Sequence, residues 1–114
     1  MDRLYTLRLW LAIRRAKQRI KTLARKRCPN ANVFSKQGPR RIEPQPLAIF
    51  ITTATDEESG KLRDDPTLYK QLRDTMLQAG YPPDAIPSVK FRIESQETVD
   101  RDYGGSWAEA IEMP

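Results

Sequence analysis

Leu47-Ala48-Ile49-Phe50-Ile51-Thr52-Thr53 is an unbroken apolar and β-branched run. Its length suits a strand, and its lack of polar alternation means that both faces must be covered, which is the signature of a buried central strand. Downstream, Asp56, Glu57, Glu58, Ser59 and Gly60 read as a polar loop. From Pro66, with Asp64 or Asp65 as cap, Leu68, Leu72, Met76 and Ala79 recur at helical spacing until Gly80 stops the pattern. A turn containing Pro82, Pro83 and Pro87 then leads to Val89, Phe91 and Ile93, which alternate with Lys90, Arg92 and Glu94 as in a half-buried strand. The order is strand, helix, strand. Two strands are seldom stable alone, so residues 107–113 are the candidate third strand, reached through Gly104-Gly105, although Trp107 and Ile111 would also fit a helical turn.

Upstream, residues 3–27 contain no Gly or Pro and are rich in Leu, Ala, Arg and Lys, so they read as one long helix that Pro29 ends. Tyr5, Leu9, Ala12, Ile13, Ala16, Ile20, Leu23 and Ala24 make one stripe along it, and cations fill most of the remainder. Near the start, Leu4, Leu7, Trp10 and Leu11 break this division by placing apolar side chains on the face that is basic further along. They need a second cover, whether a partner, another copy or a lipid interface. Between helix and strand lie Pro29, Gly38, Pro39, Pro44 and Pro46, a composition that reads as a stiff basic linker, with Val33 and Phe34 as local anchors.

The expected fold class is therefore α+β with an α/β-like half: a long basic N-terminal helix followed by a small β-α-β unit and a candidate third strand. Its expected divisions are 1–28, the basic amphipathic helix; 29–46, the proline-rich basic linker; and 47–114, a small acidic α/β unit. Below roughly 70–80 residues a lone core rarely suffices, so the acidic unit should need the helix stripe, a second copy or a larger assembly.

Charge sharpens the division. The net charge of +5 conceals two opposite halves, because residues 1–45 hold 13 Lys and Arg against only Asp2 and Glu43. Residues 46–114 hold 7 against 13. A block of one sign usually marks a surface for a partner of the other sign. The single cysteine, Cys28, permits no intrachain disulfide, so an intracellular reducing compartment is expected. Although Arg25, Lys26 and Arg27 beside it would favour a thiolate, it reads as an unremarkable thiol. No run of about 20 apolar residues exists to span a bilayer. The Arg-rich start resembles an organelle presequence, yet Asp2 and the lack of serine before Ser35 favour a part of the working protein.

Histidine is absent, which removes the usual general base near neutral pH and the commonest metal ligand. No phosphate-binding glycine pattern occurs, and the serines have no histidine to activate them. Glu94, Glu97, Asp100 and Asp102 could gather oxygens for a hard cation, but their spacing does not follow the Ca²⁺ loop pattern and a solvated acidic loop is the expectation. The run 95–107 has the look of a specific motif, but no mechanism attaches to it. No catalytic residue, metal or cofactor is assigned.

The basic helix is the strongest functional signal, because Lys and Arg bind phosphates without needing a particular sequence. The expectation is a non-enzymatic accessory or adaptor subunit of a nucleic-acid-containing assembly, RNA before DNA, contacted by Arg14, Arg15, Lys17, Arg19, Lys21, Arg25, Lys26, Arg27, Arg40 and Arg41. An acidic protein surface would satisfy the same cations, and no small-molecule substrate is expected. The alternative is a subunit or assembly factor of a membrane-associated complex, at a membrane surface, with Leu4, Leu7, Trp10 and Leu11 as an apolar plug.

Overall fold

The computed structural model describes residues 3–38 and 46–111. It is an α+β fold in which a long helix, α1 (Arg3–Arg27), precedes strands β1 (Asn32–Gln37) and β2 (Leu47–Thr53), helices α2 (Asp56–Arg63) and α3 (Pro66–Gln78), strand β3 (Lys90–Ser95), and the short helices α4 (Gln96–Tyr103) and α5 (Trp107–Ala110). The sheet order is β1-β2-β3, with β1 antiparallel and β3 parallel to the central β2. The apolar run 47–53 is thus the middle strand.

Alternation along β2 sends Leu47, Ile49 and Ile51 to one face, where they join Ile93 of β3, Leu68, Leu72 and Met76 of α3, and Ile13, Ala16, Ile20 and Ala24 of α1 in one core. The stripe of α1 is therefore part of that core, with Leu9 half-buried beside it. Tyr5 lies outside it, exposed on the first turns. Ala48, Phe50 and Thr52 point to the opposite face. No helix among those in the core covers that side; instead Phe34 of β1 stacks on Phe50 at 4.8 Å with rings 7° from parallel, and the Arg92 guanidinium lies 5.5 Å from the Phe50 ring on the β3 side. Phe34, Phe50 and Arg92 are register partners across the three strands.

Four expectations change. The stretch 29–46 is more than a linker, because residues 32–37 form the third strand at the sheet edge, where flanking Pro and Gly cost no ladder bond. Its link to β2 is closed by the Gly38 amide donating to Pro46 O at 2.7 Å, and a Cβ on Gly38 would meet the Pro46 ring at 3.0 Å. Residues 107–110 are correspondingly a helical turn capped by Ser106, and residues 112–114 lie outside the described residues. The acidic 56–60 loop is the start of α2, because Thr55 and Glu58 form a reciprocal capping box and three acids occupy the positive end of the helix. The acidic 94–102 segment is likewise mostly α4, capped by Ser95 and closed by Gly104 in the left-handed region at φ 59°.

Asp56 ties these last two helices together. Its carboxylate accepts from Ser95 Oγ, from Thr98 Oγ1 at 2.6 Å and from Arg101 Nη1 at 2.9 Å, while its amide donates to Glu97 Oε1 at 2.7 Å. Ser95, Thr98 and Arg101, in that order, hold Asp56 well below the usual carboxylate range. Asp65 is lowered mainly by Arg27, and Glu58 mainly by the Cys28 thiol. A depressed folded pKa contributes stability above the unfolded value, about 4, and loses it as pH falls toward the folded value. The urea midpoint should therefore hold between pH 7 and pH 5 and fall steadily below about pH 4. A midpoint unchanged from pH 5 to pH 3 would contradict these three contacts.

Candidate nucleic-acid interface

The candidate surface rests on α1, because Ala12, Ile13, Ala16, Ile20 and Ala24 are buried and lock one side of the helix to the body. At about 100° per residue Arg8, Arg15, Arg19 and Lys26 then fall almost in line along one flank of the helix, beside the buried stripe, and all four are exposed. A second group, Arg14 and Lys17 with Trp10, faces β1 and lines a groove of about 310 Å³ with Ser35 and Gln37. The Arg14 guanidinium sits 5.5 Å from the Trp10 ring, so an aromatic surface does accompany the cations here. Trp10 itself is 53% exposed.

The expected cations divide by what the fold already uses. Arg27 is committed to the body: Nε pairs with Asp65 Oδ2 at 2.7 Å and Nη2 donates to Gln71 Oε1 at 2.9 Å, joining α1 to α3. Arg25 Nε donates to Ala31 O at 2.9 Å and holds the turn into β1. Arg15 Nη1 reaches Ala79 O at 3.4 Å, a long bond that leaves most of its donors facing solvent. Among the described residues, the side chains of Arg8, Lys17, Arg19, Lys21 and Lys26 make no ion pair and donate no hydrogen bond. Arg40 and Arg41 lie outside the described residues.

Comparison with protein-family models, curated proteins and solved structures returns no match.

At the start of α1, Leu4, Leu7 and Trp10 are 59%, 51% and 53% exposed, while Leu11 is half-buried. The apolar set therefore lies on the surface as a contiguous patch over the first turns. No helix among the described residues is long and apolar enough to cross a membrane.

The four carboxylates considered for a cation do not converge. Glu94 pairs with Arg92 at 3.0 Å and Arg63 at 3.5 Å, Glu97 caps the Asp56 amide, Asp100 accepts from Gln96, and Asp102 pairs with Arg101 at 3.1 Å. Among the described residues no cluster of three or more acids or cysteines is arranged to hold a metal. The Cys28 thiol donates to Glu58 Oε2 at 2.9 Å. Burial first, then that bond, raises its pKa, so the thiol stays protonated.

A second concavity, which the sequence did not mark as a site, lies on the sheet face away from α1 and α3. Asn30, Asn32, Phe34, Thr52, Thr53, Ala54, Gln96, Trp107 and Ile111 line a pocket of about 620 Å³ at the end where β2 and β3 finish and β1 begins. Asn30 and Asn32 follow Pro29 at the end of α1, where asparagines read as turn residues rather than as a site. Only the pairing of β1 with β2 brings them beside Thr52.

Proposed function

We propose that the protein is a non-enzymatic accessory subunit that binds the nucleic-acid component of a larger assembly through the outer side of α1. The observation that carries this reading is the set of exposed, unpaired cations on a helix whose inner side is fixed in the core. A packed helix holds such charges in register without further ordering, so phosphate contacts lose little entropy on binding. Arg8, Arg19 and Lys26 make no polar contact with the body, which makes them clean probes.

Replacing these three by Glu should change the unfolding free energy by no more than about 0.5 kcal/mol each, as surface changes usually do. Fluorescence anisotropy with labelled single- and double-stranded RNA across a salt series should then show the slope of log K against log salt falling by roughly 1 per lost contact. An unchanged slope overturns the proposal.

The exposed Leu4, Leu7 and Trp10 favour a second reading, a membrane-associated complex docked through that patch. Under it, Leu7→Ser with Trp10→Gln would abolish retention on anionic vesicles at high salt while the charge-reversed protein still bound, because the apolar patch would then supply the anchor. Under the first reading, the same pair of changes leaves the RNA salt slope intact.

A further inference from the structure

The pocket on the open sheet face has the chemistry of a flat, uncharged, edge-bonding ligand. Phe34 has one ring face against Phe50, and the Trp107 ring stands at 85° to it with centroids 6.0 Å apart, so the two aromatics form a corner. The indole is fixed there, because Trp107 Nε1 donates to Gln96 Oε1 at 2.8 Å and Gln96 Nε2 in turn donates to Asp100 Oδ1 at 2.8 Å. A wall held in this way needs little rearrangement to accept a ring.

The polar groups of the lining are of one kind. Asn30 is exposed and its side chain makes no hydrogen bond among the described residues; Asn32 uses only its Oδ1, which accepts from the Val33 amide at 3.0 Å. Each therefore offers amide groups to a ligand, and a carboxamide with donor and acceptor is what reads the edge of a base. None of the described residues lining the pocket is ionisable, so a phosphate or carboxylate would find no counter-charge inside it. Cations stand outside: Arg25 bonds Ala31 O, between the two asparagines, and Lys36 Nζ reaches Ile111 O at 3.5 Å at the rim. The volume, about 620 Å³, lies within the ordinary range of small-ligand sites, and the place, beyond the carboxyl ends of two parallel strands, is where open α/β sheets receive ligands.

We propose that this pocket binds one unpaired nucleobase, stacked in the Phe34–Trp107 corner and read along its edge by Asn30 and Asn32. The base belongs either to a single strand whose phosphates lie on α1 or to a free nucleoside. Only the first source rests on the nucleic-acid reading of α1. Arg25 and Lys26, in the last turn of α1, are the cations through which one strand would reach both sites.

Two-dimensional ¹H–¹⁵N NMR separates the cases, because the side-chain amides of Asn30 and Asn32 and the indole N–H of Trp107 report on the pocket while α1 backbone amides report on the helix. The probes are adenosine, cytidine and uridine at millimolar concentration, ribose 5-phosphate as control, and a short single-stranded RNA beside an abasic strand of equal length. At least one nucleoside should move the three pocket resonances, ribose 5-phosphate should not, and RNA should move pocket and α1 together. Asn30→Ala, at an exposed and unbonded position, should weaken that nucleoside about tenfold, and Phe34→Leu by a similar factor through lost stacking. Pocket shifts with nucleosides but no α1 shifts with RNA would support the site for free nucleosides and remove the α1 reading. Shifts confined to α1, or equal for the RNA and its abasic counterpart, would overturn the pocket proposal and leave the phosphate reading standing. Silence of all three pocket resonances toward every probe would overturn it as well.

Discussion

A chain beginning at residue 46 should fail to fold as a monomer, giving no sigmoidal urea transition and running as an aggregate in size-exclusion chromatography. The deletion removes β1, whose Asn32–Gln37 pair with Leu47 to Thr52 along one side of β2. It also removes Ile13, Ala16, Ile20 and Ala24, which cover the inner face of the sheet. Burying one large aliphatic side chain contributes roughly 1.5–3 kcal/mol, and the loss is reciprocal because Ile49 and Ile51 would face water again. Against a typical total of about 5–15 kcal/mol, that loss exceeds what the fold can spare. What remains is a single parallel strand pair with an apolar, unpaired edge, a template for association rather than a stable sheet. A fragment that is monomeric and unfolds at the full-length midpoint would show that α1 contributes nothing to the core.

The parts of this architecture that were legible in the sequence are those whose signal is local and repeated. Residues 3–27, 47–53, 66–79 and 89–93 each carry several apolar residues at a helical or strand period, and each became the expected element. The misread elements lack that repetition. In α4 the only buried residue is Val99, so its helix rests on the Ser95 cap, the Gly104 terminus and the Asp56 contacts rather than on a stripe. The capping box of α2 was visible as Thr55-x-x-Glu58, but Gly60 and the run of acids argued for a loop. Strand β1 exists because β2 offers an edge and Phe50 offers a ring to stack on, and both lie beyond its own sequence. The site divides in the same way. That α1 is basic is a matter of counting, whereas which cations the body consumes, Arg27 above all, depends on Asp65 and Gln71 far along the chain. The pocket was not legible at all, since its walls come from four separate elements.

Phe50→Ala should be the most damaging single truncation on the open sheet face, costing roughly 3–5 kcal/mol, the range for a buried Phe reduced to Ala. Phe50 is fully buried, with a stacked ring on one side and a guanidinium on the other. Removing it leaves Phe34 with no partner plane and Arg92 with no ring, so aromatic stacking of about 0.5–1.5 kcal/mol is lost along with the buried area. Ile49→Ala, one residue earlier and on the helix-covered face, should cost a comparable 2–5 kcal/mol. The two variants separate stability from function, because only Phe50 supports the floor of the Asn30–Trp107 pocket. Measured at a temperature where both are folded, Ile49→Ala should keep the nucleoside affinity of wild type and Phe50→Ala should lose most of it. Phe50→Leu sharpens the comparison, since it restores most of the volume and should cost under about 1.5 kcal/mol while leaving Phe34 without a flat surface to lie on. If Phe50→Ala unfolds no more easily than wild type, the stacked row across the three strands does not hold this face of the sheet. If it is destabilised but binds nucleosides as well as Ile49→Ala does, Phe34 keeps its orientation without the ring beneath it, and the stacking corner is set by Trp107 and Gln96 alone.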